Sequence, residues 1–424
     1  MRLKINTLRF CLFLLPLFSI SQLTELQSAE KRTQRNRDYE AVQEFINSKR
    51  TIPLRDKASN FKISGTVRMN VILRNEYKDG IAQRGRNALI NGIPRGFWDF
   101  DSELNIKTSY TCGKTYAKTR VQFYNPMGIE ESITSCKQDP QGLKGSGRCN
   151  NICLREAYMG YKWLKTECNE VDFEWGRRRL YQYFDSRIQF NERIDGFVAT
   201  WKRHVSEKSD VYIRSAIFIV DYRVNHPGYV TEIGIFNFYE SQIDLKYSWI
   251  MWNKFGENIC GTRNPIATFF NNSQWTAAYN FDIKALEQRA KFYGAFLINW
   301  DAMPLPEVNG SKQNIGWYAG FVTGDEGLNK AGEWAFDMNY QYVEAQAVSD
   351  RDARGTKRGN VRGETFTAFR RGNANYKGWH FEGVYNITKA FAVDVTYEFT
   401  HQIEKRLGGT HSYRKFEADF ILAF

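Results

Sequence analysis

Residues 177–193 are dense in arginine: Arg177, Arg178 and Arg179 stand in succession, and Arg187 and Arg193 follow. A guanidinium is a permanent planar cation that grips carboxylates and phosphates. Where such groups line a path, they set ion preference. Earlier in the chain lie Lys62, Arg68, Lys118, Arg120 and Arg214; later come Asp282, Asp337, Glu382, Asp394, Glu398, Glu417 and Asp419. If both sets faced one water-filled space, a basic wall opposite an acidic wall would make a transverse field that aligns zwitterionic solutes. Catalysis is poorly provided for. The five histidines, His204, His226, His380, His401 and His411, have no accompanying Ser or Asp motif, so no activated nucleophile and no enzyme are expected. Cys149-x3-Cys153 lacks a second close Cys/His pair to complete four ligands, so neither metal nor cofactor is expected.

The elements that must carry these charges are legible in their alternation. In SYRKFEADFILAF at 412–424, Phe416, Ala418, Phe420, Leu422 and Phe424 share one side of an extended strand, and Lys415, Glu417 and Asp419 share the other. FAVDVTYEF at 391–399 sets five apolar residues against Asp394, Thr396 and Glu398. WAFDMNYQY at 334–342, WTAAYNFDI at 275–283, FYGAFLINW at 292–300 and FKISGTVRMNVIL at 61–73 follow the same rule. Such segments number about sixteen, each of roughly 9–14 residues, the length that crosses a bilayer when tilted. Only a closed barrel leaves no unpaired backbone edge in lipid. The expected fold is therefore all-β: a transmembrane antiparallel barrel over residues 61–424. With 31 Phe, 23 Tyr and 11 Trp beside a negative mean hydropathy of -0.54, the oily residues are dispersed in alternation and not gathered into runs.

The chain of 424 residues starts with a basic stretch (Arg2, Lys4, Arg9) and an apolar run, FCLFLLPLFSI at 10–20, which suits a secretory signal peptide over 1–29. Its removal takes away three basic residues and one acidic (Glu25), lowering the formal charge from +12 to +10. Residues 30–60 are highly charged; Tyr39, Val42, Phe45 and Ile46 keep helical spacing, so a short periplasmic helix is expected there. The basic run KRTQRNR is read as solvated, with no nucleic-acid partner.

If the chain ends in the periplasm, links 111–114, 166–170 and 386–390 are short inner turns, and 126–150, 179–193, 221–229, 253–272, 301–312 and 346–374 are outer loops. Of the two candidates for narrowing the lumen, 126–150 and 179–193, the second is favoured for its arginines. The same count places Cys112 and Cys168 in neighbouring inner turns and Cys136, Cys149, Cys153 and Cys260 outside. A Cys112–Cys168 disulfide is expected, and a bond from Cys136 to Cys149 or Cys153.

Four stretches carry a family likeness: FKISGTVRMN at 61–70, DFEWGRRRLYQYFDSRIQFNERIDGFVATW at 172–201, GEWAFDMNYQYVEAQAVSDRD at 332–352 and YKGWHFEGVYNITKAFAVDVTYEF at 376–399. Through them the chain resembles the porins of Gram-negative outer membranes, over roughly 60–424. The cysteines depart from that pattern and are similar to those of crosslinked envelope porins of chlamydia-like bacteria. The resemblance implies a channel in the outer membrane for small hydrophilic solutes; separately, the charge excess of about +10 left after residues 1–29 tilts the expectation toward weak anion selectivity, carried by Arg177–Arg179, Arg68 and Arg120. The resemblance also implies contact with outer-membrane lipid and lipopolysaccharide, self-association into a homo-oligomer, and the barrel-insertion machinery, which would recognise Phe424. Alternatives are an envelope-structural or adhesin barrel crosslinked by disulfides, or a sugar-specific channel with Tyr181, Tyr183 and Phe184 as its stacking track.

Overall fold

The computed structural model describes residues 60–84, 89–90, 93–94, 98–126, 151–205, 209–221, 226–238, 241–252, 270–284, 288–324, 330–349, 352 and 374–424. The chain divides into Met1–Ser59 and Asn60–Phe424, and the description concerns the second unit. The expected signal peptide, the expected helix within 30–60, and Cys136, Cys149 and Cys260 lie outside the described residues.

Sixteen long strands make the unit: β1 Phe61–Lys78, β2 Trp98–Cys112, β3 Thr115–Pro126, β4 Asn151–Lys165, β5 Asn169–Arg179, β6 Arg193–His204, β7 Asp210–Asp221, β8 His226–Phe236, β9 Ile243–Met251, β10 Asn271–Ile283, β11 Gln288–Asn299, β12 Ile315–Gly324, β13 Trp334–Val343, β14 Tyr376–Asn386, β15 Phe391–Gln402 and β16 His411–Ala423. Each pairs antiparallel with its sequence neighbours. β1 closes the ring. It pairs with β2 from Phe61↔Tyr110 to Leu73↔Trp98, and with β16 from Thr66↔Ala423 to Lys78↔His411. Closure leaves no edge. A short strand, Ile81–Arg84, folds back on β1 in the first link.

Alternation assigns the two faces as expected. Exposed apolar side chains such as Ile63, Met69, Trp275, Phe292, Trp379, Phe416 and Phe420 all lie outside the barrel. Rings touch from strand to strand there: Trp317 stacks on Tyr342 (centroids 5.8 Å), and Tyr340 meets Trp379 edge-on (5.2 Å). Near the ends of β9–β11 the aromatic groups carry polar tips, and these tips are served by the protein. Trp249 Nε1 donates to Asn271 (2.7 Å), and Trp300 Nε1 donates to Ser273 (3.0 Å). An amphipathic ring held in this way suits a boundary between oil and water.

Links alternate in length. Turns 113–114, 166–168 and 387–390 are short at the end that holds Phe424; links 79–97, 180–192 and 344–375 are long at the other. One expected loop is largely strand: β7 runs to Asp221 and β8 begins at His226, so only 222–225 remains of 221–229. Pro227 and Gly228 masked the strand signal. Gly228 is used for closeness: a Cβ there would lie 2.6 Å from the Phe218 ring. The last residue has a similar accommodation. Phe424 exchanges backbone hydrogen bonds with Gly65 (2.9 and 3.0 Å), and its ring lies where a side chain at 65 would be, 2.4 Å from that Cβ.

Candidate pore and constriction

The link from β5 to β6, residues 180–192, folds into the barrel. Leu180 N donates to Glu192 O (2.9 Å), closing the loop at its neck. Its side chains reach strands far around the ring. Ser186 Oγ donates to Gln274 on β10 (2.7 Å), Lys246 on β9 pairs with Asp185 (2.7 Å), and Arg187 pairs with Asp337 on β13. Asp185 N donates to Glu232 on β8 (3.1 Å). Contacts so widely spread place the loop in the interior, across the inner faces of β6–β14.

The sequence explains why it stays there. Leu180, Tyr183, Phe184 and Phe190 join Ile194, Val198, Ala216, Phe218, Val230, Ile250, Trp252 and Phe270 in one buried apolar cluster. Ile188 enters a second with Leu297, Tyr318, Val343 and Tyr376. Burying a side chain of this size contributes roughly 1.5–3 kcal/mol, so the first cluster fastens both ends of the loop and the second holds it at Ile188. Phe190 has a left-handed backbone (φ 70°), a conformation that a bulky residue adopts only when its surroundings impose it. Asp352, wholly buried in the β13–β14 link, supplies that constraint. Its carboxylate accepts from Phe190 N (3.1 Å) and Glu192 N (3.2 Å), and its carbonyl accepts from Asn191 N (3.2 Å).

Arg–Tyr stacking supports the neck. Arg178 lies over Tyr158 (4.6 Å) and Tyr183 (4.2 Å), and Arg214 lies between Tyr183 and Tyr212 (5.4 Å each). Arg178 is also salt-bridged to Glu174 (2.7 Å), and Arg214 donates to Tyr183 O and Thr200 (3.2 Å). A pocket opens between loop and wall, lined by Asp185, Arg187, Asp244, Lys246, Lys291 and Tyr293 among others. Crowding by protein would raise the Asp185 carboxyl, but Lys246, Arg187 and Lys291 together hold it below its ordinary range. Lys291 makes no salt bridge or hydrogen bond among the described residues and acts on Asp185 only at a distance.

The uncovered wall, β14–β16 and β1–β3, carries charges in both senses. Arg68 meets Asp419 (3.1 Å) and Glu417 (3.4 Å); Lys415 meets Glu417 (2.8 Å) and Glu398 (3.2 Å). Glu398 and Glu382 flank His380 at 3.0 and 3.4 Å. Arg120 lies between Glu156 (3.5 Å) and Glu103 (3.8 Å). Asp394 is directly opposite Asp419 in the ladder, and one of its oxygens is buried without a hydrogen-bond partner. Lys62, Lys118 and Asp282 are exposed nearer the short-turn end. The charges thus interleave along one wall, with no basic half opposed to an acidic half.

Not all of the arginine run faces inward. Arg177 is directly opposite Asp195 and binds it through both nitrogens (2.7 and 2.8 Å), on the outer face that carries Trp175 and Phe197. Arg179 and Arg193 are opposite each other at the end of the same ladder. Gly176 and Gly196 mark where this ladder draws close to its neighbours: a Cβ at either would lie 2.2 or 2.1 Å from a backbone carbonyl. Tyr183 and Phe184 are buried in the loop's cluster and present no open face for stacking; Tyr181 packs at its margin. Cys112 and Cys168 are exposed free thiols on different short turns, and Cys153 is a free thiol on β4. The contribution of Asp352 could not be anticipated, since a lone Asp in a long polar link gives no signal of burial.

No protein-family model and no curated protein matches the sequence. Among solved structures, several are similar over most of the chain at low sequence identity. One, described as a high-pH structure of Pseudomonas putida OprB, is 10% identical, covers 88% of this chain and 95% of its own, and gives a TM-score of 0.49. A Salmonella typhi OmpF complex with daunomycin is 10% identical over 86% of this chain and 97% of its own, with a TM-score of 0.44. A triple mutant of the Rhodopseudomonas blastica porin is 10% identical over 85% and 100%, with a TM-score of 0.41.

Proposed function

We propose that the protein is an outer-membrane porin, a water-filled channel through which small hydrophilic solutes diffuse, and that residues 1–29 are removed on export. One observation carries the reading. A closed barrel, aromatic outside and charged inside, holds a loop folded across part of its interior. A lumen of sixteen strands is wide enough for water, and a loop that covers half its circumference leaves a narrowed, charge-lined passage beside it.

Selectivity is weak and favours anions. Most wall charges neutralise one another: Arg68 and Arg120 each face two acids, and Arg187 faces Asp337. The bias comes from the net charge of about +10 after export and from Lys291, a cation of the loop-side pocket without a salt bridge among the described residues. A sugar-specific channel would need open aromatic faces, and neither Tyr183 nor Phe184 offers one.

The test is single-channel recording of the purified, refolded chain under a salt gradient, with liposome swelling in parallel. Stepwise conductance, swelling in small sugars and a reversal potential on the anion side are expected. A correctly folded barrel that neither conducts nor admits sugars would end the reading; a cation-side reversal potential would end the selectivity claim alone.

A further inference from the structure

The pocket between the loop and the wall contains two charges of opposite sign that make no salt bridge among the described residues. One is the Lys291 ammonium on β11. The other is the Asp244 carboxylate on β9, which accepts only from neutral donors, Asn237 N (2.9 Å) and Asn280 Nδ2 (2.9 Å). The remaining charges of the pocket are taken: Lys246 holds Asp185 (2.7 Å), and Arg187 holds Asp337. A cation and an anion that line one pocket would ordinarily close on each other. The strand ladder shows what stands between them. Asn280 on β10 is directly opposite Lys291, and its amide reaches the other way to Asp244. Neighbouring strands lie about 4.8 Å apart, so the backbones that carry the two charges are separated by about 10 Å. Unmatched charge beside a wall covered by protein is costly, and here two such charges face one small space.

The chemistry selects the occupant. A simple anion would satisfy Lys291 but would be repelled by Asp244 and would leave that carboxylate unmatched. A simple cation would satisfy Asp244 but would meet Lys291 in the same way. A molecule with a carboxylate at one end and an ammonium at the other resolves both at once. Each charge-assisted contact spans about 2.8 Å, which leaves the length of a short solute between the two groups. Thr276, Ala278 and the Tyr293 ring line the rest of the space, so a small side chain of either polarity finds a matching surface. We infer that this pocket binds a small zwitterion of the α-amino-acid class, with its carboxylate on Lys291 Nζ and its ammonium on the Asp244 carboxylate. Because the pocket lies against the loop that narrows the passage, an occupied site obstructs ion flow. The inference rests on the barrel being a water-filled channel, as proposed above, and names a solute that the channel would retain in transit.

The experiment uses the full mature chain and three probes of similar size at pH 7: L-alanine, which is zwitterionic; lactate, which keeps only the negative end; and alaninamide, which keeps only the positive end. Single-channel recording in potassium chloride reads brief interruptions of the current. Saturation-transfer NMR on the chain in nanodiscs reads binding without requiring conduction. L-Alanine should interrupt the current with a saturating dependence on concentration, and should bind about tenfold more tightly than either single-charge probe. Lys291→Gln and Asp244→Asn should each weaken L-alanine about tenfold and leave it no better than the single-charge probes. The charge-exchanged double variant Lys291→Glu/Asp244→Lys should regain much of the preference for L-alanine, which a merely structural role for either residue would not give. If either single variant does not fold, the other and the three probes on the parent decide the matter. Lactate as effective as L-alanine, and lost only in Lys291→Gln, makes this a plain anion site and overturns the zwitterion assignment. No saturable response to L-alanine in a conducting channel overturns the site and leaves the channel reading intact. Saturable L-alanine binding by a folded barrel that does not conduct would end the channel reading and leave the site.

Discussion

The two sides of the lumen use polar residues differently. Under the loop, the inner face of β10–β13 is built from neutral amides: Asn272, Gln274, Asn299, Asn339 and Gln341 are all buried. They bond to the loop, to the next link or to one another, as when Asn272 donates to Ala347 O (3.1 Å) and Gln341 to Asn339 (2.7 Å). Two of the few charges there are matched singly, Lys246 with Asp185 and Arg187 with Asp337, while Lys291 makes no salt bridge among the described residues. On the open side, Arg68, Arg120 and Lys415 each serve two acids, and acids such as Asp394 and Asp419 are left side by side. Desolvation accounts for the difference. A wall sealed by a loop must neutralise or avoid charge, whereas a wall in contact with water tolerates a surplus. The contrast therefore indicates where water runs.

The largest effect should come from removing the cover. Replacing Tyr183–Phe190 with a short glycine linker is sterically feasible because the neck is already closed by Leu180 and Glu192. Conductance should rise about twofold or more as the passage widens. Unchanged conductance in a folded variant would mean that the loop does not narrow the pore. The next effect concerns stability. Arg187→Leu strands Asp337 beneath the loop with only the Tyr293 hydroxyl, and should cost roughly 1–3 kcal/mol after its partial exposure is discounted. Arg68→Leu on the open wall should cost under about 1 kcal/mol, since Asn70 still donates to Asp419 and Lys415 to Glu417. Denaturant unfolding in detergent measures both, and equal losses would erase the distinction between the walls.

Much of this architecture was readable beforehand, and the unread part has a common cause. Period-two alternation is local, so it revealed the strands and their closure into an antiparallel barrel. Pairings across the ring are not local. Nothing in the sequence indicates that Arg187 meets Asp337, 150 residues later, or that Asp352 holds the loop's far end. Alternation also sorts a run of three arginines, since successive residues in a strand face opposite ways. Arg178 turns to the lumen while Arg177 remains on the outer face. An expectation that treated the run as one cluster overlooked the pleat. The same locality misplaced the start of β8, where Pro227 and Gly228 look like a turn until Phe218 is seen to need the space.

A smaller, electrical effect separates the walls again. Lys291→Gln removes a cation of the loop-side pocket that makes no salt bridge among the described residues, and should shift the reversal potential toward cations by a few millivolts in a salt gradient. Arg68→Gln deletes a cation that two acids already shield, but it also releases their charge toward the water, so it should shift the potential further in the same direction. A shift confined to Lys291→Gln would place the ion path under the loop instead of beside it.

The smallest effect is a test of the cover by pH. Burial raises the Asp352 carboxyl to about 7; the amides of Glu192 and Phe190 pull against this, and the nearby Glu192 carboxylate reinforces it. An unfolded or detached Asp titrates near 3.9. The attached state therefore binds the proton more tightly, and its advantage is complete below about pH 4 and fades as pH rises to about 7. The loop's far end should then loosen on the alkaline side. Hydrogen exchange of amides 190–192, corrected for the intrinsic rate, should be faster at pH 8 than at pH 5. Asp352→Asn should flatten that dependence, because an amide cannot ionise. Were the protection of these amides to grow with pH, the carboxylate would be the stronger latch, and the two backbone donors would outweigh burial at this one carboxyl.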